Sequence, residues 1–148
     1  MAGKLNVSSA ARRLCERSGW TLTNLELQKM LYLAQLYYIG QTHERLIDET
    51  FEAWDYGPVS PSIYHKVKPF GSSAIKDVFH GAPTIEDKDL LKFLDDAYDA
   101  LSQRSARQLV AITHWESGAW AKNYRPGARG IPIPDEDIID EYNKRARK

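Results

Sequence analysis

The sequence predicts a mainly α fold: a compact single domain of five or six helices around a central apolar helix, with one small β-hairpin, over residues 1–148. Three observations lead there. Residues 25–39 are apolar on nearly every side at helical spacing, as suits a helix packed in the middle of a domain. The stretch from Leu46 to Trp54 changes to a two-residue period. The Pro and Gly residues fall between periodic segments, where the chain must turn.

Taken in order, Val7, Ala10, Ala11 and Leu14 share one face of a helix over 7–17 that Ser18-Gly19 closes. Thr23 with Glu26 three residues on forms a capping-box pattern at the start of the central helix. Leu27, Met30, Leu31, Ala34 and Tyr38 make one stripe of it and Leu25, Tyr32, Leu36 and Ile39 the opposite side, with Gly40 as its stop. Gln28 and Gln35, seven apart, share a polar ridge, either bonded inside the domain or lining a partner groove. Leu46–Glu49 and Phe51–Trp54 read as the two strands of the hairpin, with Asp48 and Glu49 near its turn. Ser60 as cap and Pro61 at the first position start a helix through Ile63, Tyr64 and Val67 that Pro69 ends. Residues 70–83 read as a surface loop. Thr84 with Asp87 opens a helix carrying Leu90, Leu94, Ala97, Tyr98 and Leu101, and Ser105 caps another carrying Leu109 and Thr113. Arg125–Gly130 is loop, Ile131-Pro132-Ile133-Pro134 is extended because each Ile precedes a proline, and a last helix begins near Asp135.

Composition narrows the function classes. Lys plus Arg and Asp plus Glu both count 20, so the chain lacks the net positive charge usual in nucleic-acid binders. The basic tail, Lys144, Arg145, Arg147 and Lys148, follows Asp135, Glu136, Asp137, Asp140 and Glu141, an order that complements a helix dipole. A single cysteine, Cys15, permits no intrachain disulfide and sits among small apolar residues as a packed, inert thiol. No stretch approaches the roughly 20 apolar residues of a membrane span, and the start carries no leader-like apolar run. A soluble, cytoplasmic protein is expected, with no membrane contact.

Leu27-Gln28-Lys29-Met30-Leu31-Tyr32-Leu33-Ala34-Gln35 resembles the LQKLLYFAQ helix of the Panacea, or SocA-like, antitoxin domain. Phe51–Tyr64 resembles that family's EAW-YGPV-P--Y block, Gly71–Ile75 its GS--I element, and Thr113–Trp120 its TH-E-G-W block, all in the same order. The resemblance covers nearly the whole chain. It implies a phage-associated type of antitoxin that binds a cognate toxin protein encoded next to it and silences it by stoichiometric complex formation, without turnover. Many family members carry an added terminal region for DNA binding or partner choice, and this chain is short beside them.

The residues singled out as partner-binding are Trp54, Tyr56, Pro58, Tyr64, His114, Trp115, Glu116 and Trp120, because aromatic side chains dominate energetic hot spots at interfaces. Trp54 alternates onto one face of a strand and is expected to pack on the central helix; Tyr56-Gly57-Pro58 reads as the turn joining hairpin to helix. His114 and Glu116, two apart on a helix, point away from each other and do not form an acid–base couple. His43, His65 and His80 show no metal-site spacing. No phosphate loop or nucleophile elbow is present, so no catalytic, cofactor-binding or metal-binding residue is expected, and no cofactor. Asp95, Asp96 and Asp99 read as a solvated acidic face that would steer a basic partner. The alternative is a phage- or prophage-encoded nucleic-acid-binding or regulatory adaptor using Arg12, Arg13 and the basic tail. Homo-oligomerisation is compatible with either.

Overall fold

A computed structural model describes residues 3–147. The chain runs β1 (Leu5–Asn6), α1 (Val7–Arg17), α2 (Asn24–Thr42), β2 (Ile47–Asp48), β3 (Glu52–Trp54), β4 (Gly57–Val59), α3 (Pro61–Val67), a 3-10 turn over Lys68–Phe70, α4 (Lys88–Leu101), α5 (Ala106–Thr113), α6 (Ala119–Asn123) and α7 (Asp135–Ala146). The mainly helical prediction holds. The central helix is α2, packed most extensively against α7 and also against α5, α1, α4 and α3.

Burial explains why α2 is apolar all round. Leu27, Leu31, Tyr32, Leu33, Leu36 and Ile39 are wholly buried, each contributing roughly 1.5–3 kcal/mol on leaving water. Its predicted start is correct: the Thr23 hydroxyl accepts from Glu26 N at 3.3 Å, and Thr23 N donates back to Glu26 Oε1 at 3.0 Å. Its predicted stop is not. The helix continues through Gly40 to Thr42 and ends on His43 in the left-handed region, φ 61°. Gly40 serves close approach instead: a Cβ there would overlap the Tyr142 ring of α7. Gln28 and Gln35 are both buried and bonded internally. Gln35 Oε1 accepts from Leu46 N and Ile47 N at 2.9 Å, while Gln28 grips Ser60 N at 2.8 Å and Ser60 O at 3.3 Å.

The hairpin exists, but with a different pair of strands. β3 pairs antiparallel with β4, with Glu52 opposite Val59 and Trp54 opposite Gly57, so Asp55 and Tyr56 form the turn. Residues 47–48, predicted as its first strand, instead pair in parallel with β1. Asp48 and Glu49 are therefore not at the turn. Glu49 supplies the cap that Ser60 lacks, accepting from Ser60 Oγ at 2.6 Å and Ser62 N at 3.3 Å at the head of α3. Period two failed here because a tight turn inside Trp54–Gly57 leaves strands only three residues long.

Three further corrections follow from packing. The 70–83 segment is irregular but not superficial: Ile75 and Phe79 are buried, and Ile75 N donates to Leu22 O at 2.8 Å. The α4 cap is Asp87 alone, with Thr84 outside the helix. The acidic face of α4 is not free to steer a basic partner. Arg13 grips both oxygens of Asp95 at 2.8 Å and Arg17 pairs with Asp99, tying α1 to α4, while Lys92 pairs with Asp96 at 2.8 Å within α4. Cys15 is buried, and burial pushes its thiol up to about 12, in keeping with an inert packed residue.

At the other end, α7 is anchored by its acids. Glu141, wholly enclosed, accepts from Tyr32 Oη at 2.8 Å, Ala119 N at 2.9 Å and Arg145 Nε at 2.8 Å. Asp137 holds Lys122 at 2.8 Å and Asn123 at 3.0 Å, so α6 is pinned to α7 at two points. Acids occupy the first turn of α7 and bases the last, as the dipole argument requires; Lys148 lies outside the described residues.

Candidate functional site: an aromatic groove at the hairpin

A groove of about 720 Å³ opens where the first turn of α2, the β3–β4 hairpin, α3 and the 3-10 turn meet. Trp54, Tyr56 and Tyr64, three of the predicted contact residues, line it together with Leu25, Val59 and Lys29. Leu25 and Tyr56, at 39% and 75% exposure, are the two exposed large hydrophobic side chains among the described residues, and both stand on this groove.

Local geometry explains why these side chains face outward. In β3 the alternation buries Ala53 and leaves Glu52 and Trp54 half-exposed, so Trp54 does not pack into the core as expected. Its indole meets Tyr64 edge-on at 4.9 Å, and its Nε1 donates to Glu52 Oε1 at 2.8 Å. Tyr56 sits in the two-residue turn, where a side chain must project. Leu25 lies in the first turn of α2 and lines the groove. A second depression of about 710 Å³ is lined by Lys4, Asn6, Ser9, Glu86 and Asp87 and carries neither of the exposed large apolar residues.

The late block braces the hairpin from behind. Trp120 Nε1 donates to Trp54 O at 2.7 Å, the Trp120 ring stacks between His114 at 4.2 Å and Tyr124 at 4.6 Å, and Tyr124 Oη donates to Asp55 Oδ1 at 2.6 Å. Trp115 lies under the Arg145 guanidinium at 4.6 Å, and Glu116 is exposed on a turn away from the groove. Pro58 is buried in β4. Of the eight predicted contact residues, the structure thus brings Trp54, Tyr56 and Tyr64 to one surface. It sets His114 and Trp120 behind that surface as support, and places Trp115, Glu116 and Pro58 elsewhere.

Beneath the turn lies a buried lysine that sequence reasoning passed over. Lys29 is 1% exposed and donates to Tyr56 O. Burial alone lowers its pKa to about 8, with no carboxylate to hold it up. His114 Nε2 is adjacent: a Cβ added to Gly57 would stand 2.5 Å from Lys29 Nζ and 2.7 Å from His114 Nε2, and Gly57 itself has φ 109°. Only glycine fits there. His114 is held below its ordinary value by burial and by the Lys29 charge, against the pull of the Tyr56 carbonyl. The enclosed side-chain polar atoms without a hydrogen bond among the described residues are His114 Nε2 and Asn24 Oδ1, and Asn24 lines the groove. A charged residue in an otherwise apolar stretch was the available sign that Lys29 is special.

Of the residues that the nucleic-acid reading used, Arg12, Arg13 and Arg145 are engaged within the fold. Arg12 pairs with Glu16 at 3.3 Å and donates to Ala82 O at 3.1 Å, Arg13 is held by Asp95, and Arg145 by Glu141. Among the described residues no group of three His, Cys, Asp or Glu could hold a metal ion, and no helix is long and apolar enough to cross a membrane.

Fold and groove together define a small helical domain that presents an aromatic-walled recess on a rigid scaffold. The profile described as antitoxin SocA-like, Panacea domain matches residues 27–121, from within α2 through the hairpin to just past Trp120. The chain is also 32% identical over 135 residues to Antitoxin SocA of Caulobacter vibrioides (strain NA1000 / CB15N), covering 82% of this chain and 72% of that protein. No solved structure matches it. The chain belongs to the SocA-like, Panacea-domain antitoxin family.

Proposed function

We propose that the protein is an antitoxin that neutralises a cognate protein toxin, encoded beside it, by direct stoichiometric binding through the hairpin groove. The observation that carries this reading is the concentration of exposed apolar surface. Leu25 and Tyr56, the two exposed large apolar side chains among the described residues, both stand on a recess walled by Trp54 and Tyr64. Such residues cost free energy unless a partner covers them, and Trp and Tyr in a recess are the commonest interface anchors. The brace of Trp120, His114 and Tyr124 holds the turn in place before the partner arrives, which lowers the entropy cost of association. Family membership supports the antitoxin role. On this reading the protein acts by occupancy rather than by turnover, and it works in the cytoplasm, where new toxin is met.

Co-expression with the neighbouring reading frame tests it. The expected result is restored growth together with a one-to-one co-purifying complex; a neighbour that is harmless alone, or rescue without any complex, contradicts it.

A further inference from the structure

On the reading that this groove holds the toxin, we propose that its occupant is a segment of the partner carrying an acidic side chain beside an apolar or aromatic one. The acid is set against Lys29 and Lys68, and the apolar anchor lies between Leu25, Trp54 and Tyr56. Two independent features of the groove define that chemistry.

The first is charge. Lys29 and Lys68 line the groove and no carboxylate does. Several cations elsewhere are matched: Arg13 with Asp95, Arg45 with Asp135, Lys122 with Asp137, Lys144 with Asp140 and Arg145 with Glu141. Glu26, the acid nearest in sequence, is turned back onto Thr23 N and Oγ1. Lys29 spends one donor on Tyr56 O. An ammonium has three donors, and a buried one without an anion is the costly arrangement that a partner carboxylate relieves. A basic segment would face two like charges and is rejected on the same ground.

The second is the wall. Leu25 and Tyr56 present apolar surface flanking the recess, with the Trp54 and Tyr64 rings behind them, so an anchor of aromatic or branched aliphatic type fills the space. Asn24 Oδ1, enclosed and without a donor, offers an acceptor to a partner backbone N–H.

The test titrates three acetylated, amidated peptides, Ala-Trp-Glu-Leu-Ala and its versions with Gln or Lys in place of Glu, into the 15N-labelled full chain. Chemical shifts of the Trp54 indole and of the Leu25 and Tyr56 amides are followed. The expected result is saturable binding of the Glu peptide, roughly tenfold weaker binding of the Gln peptide, as for a lost hydrogen bond to a charged group, and no saturation with the Lys peptide. Lys68→Gln should narrow the Glu-to-Gln ratio by roughly threefold, the scale of an exposed pair. Lys29→Met should remove most of what remains, and where that variant alters the hairpin, Lys68→Gln alone decides. Equal responses to the three peptides, including no response to any, or largest shifts in the Lys4–Asp87 depression, overturn the inference. Growth rescue by co-expression would then still stand as a separate test, since it reads whether the toxin is silenced and not the chemistry that does it.

Discussion

Two buried charges meet at the central helix and are treated in opposite ways: Lys29 belongs to α2, and Glu141 of α7 bonds Tyr32, three residues further along it. Glu141 is enclosed and fully matched, by a tyrosine hydroxyl, a backbone amide and a bidentate arginine. Lys29 is as deeply enclosed and has a single carbonyl. A matched charge ties α2, α6 and α7 together; an unmatched one weakens the fold it sits in and is best understood through what it can still bind. The difference separates the part of the molecule that holds the fold from the part we propose meets a partner.

The largest break in that comparison comes from Glu141→Ala. It leaves Tyr32 without its acceptor and Arg145 without its anion, and unfolding in urea should show a loss of about 3–5 kcal/mol. A loss below about 1 kcal/mol would show that Glu141 is not the structural hub. Next is the effect of pH on Lys29. Its folded pKa of about 8 lies below its ordinary 10.5, so the folded state carries a penalty that is complete below about pH 8 and is relieved as pH rises toward 10.5. The wild type should therefore gain stability relative to Lys29→Met across that window, on the order of 3 kcal/mol in total. At pH 7, Lys29→Met should be no less stable than the wild type, the reverse of Glu141→Ala. Parallel stability–pH curves for the two proteins would contradict it.

Gly40→Ala sharpens the same contrast from the scaffold side. The added methyl meets the Tyr142 ring where α2 and α7 touch, and thermal unfolding should report about 1–3 kcal/mol of destabilisation. The smallest effect is expected of Arg13→Ala. Its pair with Asp95 is one-third exposed and should contribute under about 1 kcal/mol, less in high salt, when measured by chemical denaturation.

How much of this was legible in the sequence divides along the same line. Helical spacing and the Thr23–Glu26 pattern specify α2 because they are local, and α1, α4 and α5 follow for the same reason. Elements that depend on distant partners were not readable. Gly40 resembles a helix stop until Tyr142 is placed beside it, and Ile47 cannot be assigned to β1 from spacing alone. At the candidate site, the aromatic residues of the 54–64 block were visible as residue types. Which of them face water was not, because a shift in the hairpin turn exchanges the two faces of a short strand. Leu25, Lys29 and Lys68 were missed, since a groove is a property of how α2, β4 and α3 are set together and no one segment displays it.

The central claim is that the Leu25–Tyr56 groove is the surface by which this chain silences a protein toxin. It is tested most directly by titrating the purified neighbouring gene product with the wild type and with a Leu25→Asp/Tyr56→Ala double variant, whose substituted side chains are exposed and should leave the fold intact. The account predicts that toxicity in a cell-free assay falls to zero near one equivalent of wild type, while the variant, equally stable by thermal melt, fails to reach that end point at several equivalents. Full neutralisation by the variant, or by far less than one equivalent of the wild type, would contradict it.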